Sequence, residues 1–443
     1  MRVFLLIYVV FLTALVFWWK TSSLPTRLPP MHNQLIWREA DDTKFLRTPE
    51  ARDARLPIPT NDHYINFFLQ DPESFCDGNF IGYKNLFAKV KNVILDTQYG
   101  HGRKGGENIS EVLNQDESEE FYRFHSGFFK LPCTEELRYV FGIDSHLTSW
   151  VGAIHTQPST VDYKPYSQWT IAITRYEYAN LYHGMTDFYN AFMMMKVFGL
   201  RPDNVTILFV DGHPHGALDD AWKTLFNRVT RVGELTQPVM FENMVWSIVG
   251  YDSPLDEHDL PAVSFLEEFR HFFLSKYGVQ TDYEAHCDKL NVVLLWRHDY
   301  LAHPRNPTGK VSRKIKNEEE LLEKIMLVFQ GHNVQGLQLD LFPMRKQLDI
   351  IAHTDILIGM HGAGLSHTMF LPRHAGLIEM YPLYYSSENR HFRKMAEWRH
   401  IHYLSWEHLE PERDFNDEYT LVDVNEIARY AQQMFKSICG KVS

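Results

Sequence analysis

Apolar residues in this chain fall into two kinds of segment. Trp169–Thr174, Val205–Val210, Val292–Trp296, Ile356–Met360 and Gly376–Met380 are short continuous apolar runs, the pattern of strands buried on both faces. Between them the spacing turns helical. Thr186–Leu200 carries apolar residues on more than one face and has Gly199 near its end; Leu321, Leu322, Ile325, Val328 and Phe329 repeat at helical intervals. That second helix opens at Asn317, which is placed to cap it, with Glu320 positioned to reach back. Pro343 starts another helix, and Val422–Ile438 is amphipathic. Strand alternating with helix predicts an α/β fold, and the alternation occurs twice. The expected globular units are 64–285 and 286–443.

The amino terminus has a different pattern. Val3–Trp19 is apolar throughout and free of charge, bounded by Arg2 and Lys20, with Trp18 and Trp19 at one end. This predicts a membrane-spanning segment within 1–19 with an aromatic interface. A cleaved signal peptide is the competing reading, with Thr21-Ser22-Ser23 as its weak cleavage site. Residues 20–63 hold Pro25, Pro29, Pro30, Pro49, Pro57 and Pro59 among charged residues, which predicts a tether.

Composition narrows the classes. With 443 residues, 44% hydrophobic and 23% charged, the chain is long enough for two full cores. A net charge of −12 speaks against a nucleic-acid partner, because phosphate backbones would be repelled. Asn108 and Asn204 open N-x-S/T triplets, and the four cysteines Cys76, Cys133, Cys287 and Cys439 are compatible with one or two disulfides in an oxidising lumen. Four cysteines allow three pairings, and the sequence does not choose among them.

Three clusters carry candidate chemistry. The first is the turn His361-Gly362-Ala363-Gly364, between the strand ending at Met360 and a short helical stretch, Leu365–Phe370. Its glycines let backbone approach a phosphate, and the amides opening the helix present partial positive charge. A dinucleotide fingerprint needs a small residue where His367 stands. His361 and His367 can donate to phosphate oxygens, and Glu379 can accept from a ribose. The second cluster, Trp296–Arg305 with Lys310, Arg313 and Lys314, follows a strand at the end where open α/β sheets bind ligands. Arg297, leaving a buried strand, calls for an anionic partner. The third, Arg175–Asp187, concentrates titratable groups between a strand and a helix. His183 and Asp187, four residues apart, and Glu177 are acid/base candidates. Asp211-Gly212-His213-Pro214-His215 could ligate a metal but reads more simply as a loop. No Asp-x-Asp pair occurs, so no essential metal is expected.

At these clusters the chain resembles glycosyltransferase family 61, and within it the plant-type β-1,2-xylosyltransferases of N-glycan cores. The resemblance runs from about Cys76 to the C-terminus. It rests on TRYEYANLYH (174–183), FVDGH (209–213), DYLAHPR (299–305), NEEE (317–320), GMHGAGLSH (359–367) and GGENISEVL (105–113). Departures are Trp296-Arg297 in place of paired arginines, His298 for an acidic residue and Ser366 for threonine.

The resemblance implies a GT-B architecture, two Rossmann-like domains facing a cleft, with one N-terminal transmembrane helix and a stem before them. It also implies inversion at the anomeric carbon and a single-pass type II Golgi topology with the catalytic part lumenal. The implied reaction moves xylose from UDP-xylose to O2 of the core β-mannose of N-glycans. Arg297, Lys310, Arg313, His361, Gly362, Ala363, Gly364, His367 and Glu379 would bind the donor, and Asp187, His183 or Glu177 would take the acceptor proton. Two other readings remain: a family 61 N-acetylglucosaminyltransferase acting on protein or O-mannose, and a catalytically silent lumenal glycan-binding protein.

Overall fold

The protein is described by a computed structural model covering residues 61–134, 146–159, 163–385, 388–408, 414–415 and 418–440. The apolar segment Val3–Trp19 and most of the proline-rich stretch lie outside the described residues, among which no helix is long and apolar enough to cross a membrane. The fold is mixed α/β, with several sheets.

The larger sheet orders its main strands Glu73–Phe75, Phe80–Tyr83, Phe87–Leu95, Val239–Trp246, Trp169–Ile173, Val205–Phe209 and Arg228–Arg231. The last four run parallel to one another, and the first three add an antiparallel flank. Its runs Trp169–Ile173 and Val205–Phe209 are almost wholly buried, as continuous apolar strands require. The helix beside them begins earlier than its apolar spacing suggests, at Leu181, and ends at Val197. The Asn180 carboxamide accepts from the Tyr182 amide and fixes that start. Nearly every residue of the helix from Gly184 to Val197 is buried, which explains the lack of a single apolar face.

The second sheet is all parallel, in the order Asn333–Leu337, Asn291–Leu295, Ile356–Met360, Gly376–Tyr381, His402–Glu407. Numbered along the chain this is 2-1-3-4-5, a doubly wound order whose reversal falls between Asn291–Leu295 and Ile356–Met360. Helices Glu318–Val328, Met344–Ala352, His391–Trp398 and Val424–Cys439 accompany it. Asp423 caps the last through the amides of Asn425 and Glu426. Asn317 does not cap its helix: its amide nitrogen donates to Glu320, and its oxygen accepts from the Val422 amide. It therefore joins two segments rather than ending one.

Leu181–Val197 packs against the short 3-10 helix Ala363–Phe370 of the second sheet's layer. One apolar core runs from Ile171 and Phe188 through Phe273 to Phe370, Leu357 and Leu377, with the Phe273 and Phe370 rings 4.9 Å apart. Arg399 donates to the carbonyls of Thr368 and Leu371, and Arg270 to that of Phe370. Both arginines are buried, and they complement the negative end of the 3-10 helix. Disulfides pair Cys76 with Cys133 and Cys287 with Cys439.

Candidate functional site

The strands on either side of the order reversal end at Leu295 and Met360, so the residues that follow, Trp296-Arg297 and His361-Gly362, emerge side by side. That is the crevice where doubly wound sheets bind ligands. Arg297 Nε donates to the Ser312 carbonyl at 3.1 Å. Its guanidinium lies on Gly362, where any β-carbon would overlap Nη1. Gly362 is extended, with φ 164°, so glycine is required by this close approach and not by backbone angle. Gly364 in turn packs against Leu295.

Burial, then the repulsion of nearby Arg313, pushes the Arg297 pKa down to about 10, which leaves Arg297 cationic at neutral pH. Arg313 sits over the Tyr385 ring, 4.8 Å from its centroid. Neither guanidinium has a carboxylate within ion-pair distance among the described residues. Two adjacent, partly desolvated guanidinium groups without acids form a site for an anion that can accept from both. Lys310 does not join them: it is exposed and pairs with Glu418 at 2.9 Å.

His361 is buried, and its Nδ1 lies 2.6 Å from Glu379 Oε1. Tyr403 donates its hydroxyl to the other Glu379 oxygen at 2.8 Å. Glu379 is fully buried, so it holds the imidazole and is not open to a ribose. Burial outweighs the Glu379 contact and lowers the His361 pKa. His361 stacks on Tyr385 and Tyr381. His367 is held by the Gly364 carbonyl at 2.8 Å, with Nε2 buried and unpartnered. Its pKa falls to about 4 through burial, so it stays neutral.

The three acid/base candidates have separate environments. Asp187 is 1% exposed, with the Tyr176 and Gly250 backbone amides facing its carboxylate. Burial drives its pKa well above the usual carboxylate range, against the pull of Arg175. Glu177 accepts from the Tyr178 and Ala179 amides and meets His303 at 2.8 Å and Arg305 at 3.3 Å. Its burial would raise the pKa, but the His303 contact and these amides reverse it, and the net direction is down. Glu177 thus ties the 174–183 segment to the 299–305 segment. His183 is half-buried against Tyr176, Tyr182 and Tyr251. Burial lowers its pKa, and no hydrogen bond occupies its ring nitrogens among the described residues. Ring contacts lead from His183 through Tyr182 and His391 to His361.

Other motif residues are structural. Arg175 and Asp211 form a buried bidentate pair at 2.7 and 3.1 Å, joined by Asp219 and Arg231. His213 has both nitrogens engaged, by Glu120 and the Arg175 carbonyl, so the Asp211–His215 loop offers no free imidazole there. Asn108 and Asn204 are both exposed. Sequence reading missed Arg175–Asp211, Glu177–His303, Glu379–Tyr403 and Tyr182–Asp256; none has a spacing that marks it in one dimension.

Residues 181–378, which include the buried helix, the arginine crevice and the His361 loop, match the family model Glycosyltransferase 61. That segment is similar to a glycosyltransferase family 61 domain. It is 29% identical over 343 residues to a beta-1,2-xylosyltransferase of Oryza sativa subsp. japonica, covering 68% of this chain and 63% of that one. Identity to the beta-1,2-xylosyltransferase of Arabidopsis thaliana is 26% over 409 residues, 74% of this chain and 73% of the relative. An EGF domain-specific O-linked N-acetylglucosamine transferase of Drosophila melanogaster is 28% identical over 242 residues, 52% of this chain and 43% of that one. The matched segment therefore contains both the arginine crevice and the helix bearing His183 and Asp187.

Proposed function

We propose that this protein is an inverting glycosyltransferase that moves xylose from UDP-xylose to O2 of the core β-mannose of N-glycans. The observation that carries the sugar-nucleotide part is the pair Arg297 and Arg313, without acidic partners, at the order reversal of the parallel sheet. Similarity to two beta-1,2-xylosyltransferases supports the choice of sugar. The two sheets are read as the halves of a GT-B enzyme, with Golgi type II topology set by Val3–Trp19.

In this reading the donor diphosphate lies between the two guanidinium groups and the Gly362–Gly364 backbone. Positive charge is in place before the glycosidic bond breaks, so it stabilises charge developing on the leaving group without reorganisation and without an essential metal. His361, oriented by Glu379, donates to a phosphate oxygen through its outer nitrogen when protonated, the form that Glu379 and an adjacent diphosphate favour against burial. The acceptor hydroxyl approaches along the Leu181–Val197 helix. Of the three base candidates, His183 combines a neutral imidazole with unoccupied nitrogens, and it takes the proton as the new bond forms. Asp187 lacks access, and Glu177 is engaged by His303. Direct displacement converts the α-linked donor to a β-linked product.

Similarity to EGF domain-specific O-linked N-acetylglucosamine transferases favours a second reading, transfer of N-acetylglucosamine to a protein hydroxyl. The test offers the purified protein UDP-xylose or UDP-N-acetylglucosamine, each with a trimmed N-glycan and with a folded EGF-type domain, with and without chelator. Xylose on the glycan supports the main reading. N-acetylglucosamine on the domain supports the second. No product from either, with UDP still bound, supports a silent glycan-binding role. Loss of transfer with chelator, at a concentration that leaves Tm unchanged, overturns the metal-free chemistry.

A further inference from the structure

Three residues converge where the loop after Gly250–Asp252 meets the start of the His391–Trp398 helix. Asp256, His258 and His391 each direct a ligating atom to one point, all within 4.8 Å of one another. His391 Nδ1 lies 2.9 Å from His258 Nε2 and 3.5 Å from Asp256 Oδ1. Zinc–ligand bonds of about 2.0–2.1 Å in tetrahedral geometry place ligand atoms about 3.3 Å apart, and these two edges bracket that length.

Two of these side chains are also oriented. Tyr182 donates its hydroxyl to Asp256 Oδ1 at 2.6 Å, the outer-shell contact that aims a ligating carboxylate. The His391 ring packs on Tyr182 with centroids 4.2 Å apart. The cations nearest the cluster are neutralised elsewhere, Arg390 by Asp259 and Lys394 by Glu397. All three candidate ligands are half-buried.

We propose that Asp256, His258 and His391 form a binding site for a zinc-class divalent cation that fastens the 252–260 loop to the His391–Trp398 helix. Two imidazoles and one carboxylate suit zinc by ligand type. The site shares no ligand with the arginine crevice, although its His391 ring lies 6.3 Å from that of His361, and it does not depend on the proposed transferase reaction. A hydrogen-bonded histidine pair is the competing account of the same contacts, and it predicts no metal stoichiometry.

The test uses the full chain purified in detergent, stripped with chelator and returned to metal-free buffer. Zinc chloride is titrated by calorimetry, and cobalt(II) is followed by its visible d–d absorption. The expected result is one zinc per chain, a rise in Tm on zinc addition and an intense tetrahedral-type cobalt spectrum. His258→Ala and His391→Ala weaken binding by at least about 100-fold, the upper end of what loss of an outer-shell partner causes. Exposed His155→Ala serves as control and leaves binding unchanged. Asp256→Asn keeps an oxygen for Tyr182, preserves the packing and still weakens zinc, so it decides the matter if the histidine variants fold poorly. Absence of zinc binding, or binding equal in Asp256→Asn and wild type, overturns the proposal.

Discussion

Arg297 rests on Gly362, close enough that a single β-carbon at residue 362 would overlap its guanidinium. The contact joins the ends of two neighbouring parallel strands and sets where the cationic group sits. Gly362→Ala must therefore displace Arg297 or the loop. Affinity for UDP is expected to fall by at least about tenfold, or about 1.4 kcal/mol, with Tm nearly unchanged. Calorimetric titration of UDP checks this; unchanged affinity would mean that the crevice is not the donor site.

The two guanidinium groups and the exposed lysine should behave differently. Arg297→Lys keeps the charge but loses the bidentate fork and should weaken UDP binding, and Arg313→Ala removes a charged partner from the diphosphate, at a cost of about 2–5 kcal/mol in UDP binding. Lys310→Ala should leave binding close to wild type, because Lys310 pairs with Glu418 at the surface. Competition binding with UDP separates these outcomes. Equal losses at all three positions would point to diffuse electrostatics instead of a built site.

The pH dependence of transfer tests His183. Burial lowers its pKa, so the unprotonated form that serves as base persists below the ordinary histidine value of about 6.5. The acidic limb of kcat/KM should then lie below that pH. His183→Gln should lower kcat by about 10²–10⁴ and remove the limb. A variant with near-native kcat and the same limb would exclude His183.

The Arg175–Asp211 pair predicts a stability effect away from the chemistry. Asp211→Asn removes the closest counter-charge of buried Arg175, leaving Asp219 at 3.6 Å, and should destabilise the fold by about 3–5 kcal/mol, measured by urea denaturation. Arg175 and the neighbouring charges outweigh burial and depress the Asp211 pKa. The linked stability is thus present above the ordinary carboxylate pKa and lost as pH falls through the lower folded value. Wild type should lose stability in acid more steeply than Asp211→Asn.

The strands at Trp169, Val205, Asn291, Ile356 and Gly376 and the helices between them were legible in one dimension, because continuous apolar runs and helical spacing report burial directly. The glycine loop, Arg297 and Arg313 were legible for the same kind of reason: a glycine turn after a buried strand and cationic residues beyond another have few physical explanations. Helix starts were less so. Asn180 caps through its own carboxamide, whereas Asn317 spends its side chain on Val422, and local sequence does not distinguish the two.

The sequence by itself determined the α/β alternation, the glycine loop and its cationic companion. Only the tertiary structure decided that these two lie at the reversal of one parallel sheet, since strand order depends on crossovers that no local pattern encodes. It also decided that Glu379 is occupied by His361 and Tyr403, that Asp187 is sealed, and that Lys310 turns away. Side-chain partners more than a few residues distant are chosen by packing and desolvation in three dimensions, and the same holds for the meeting of Asp256 and His258 with His391.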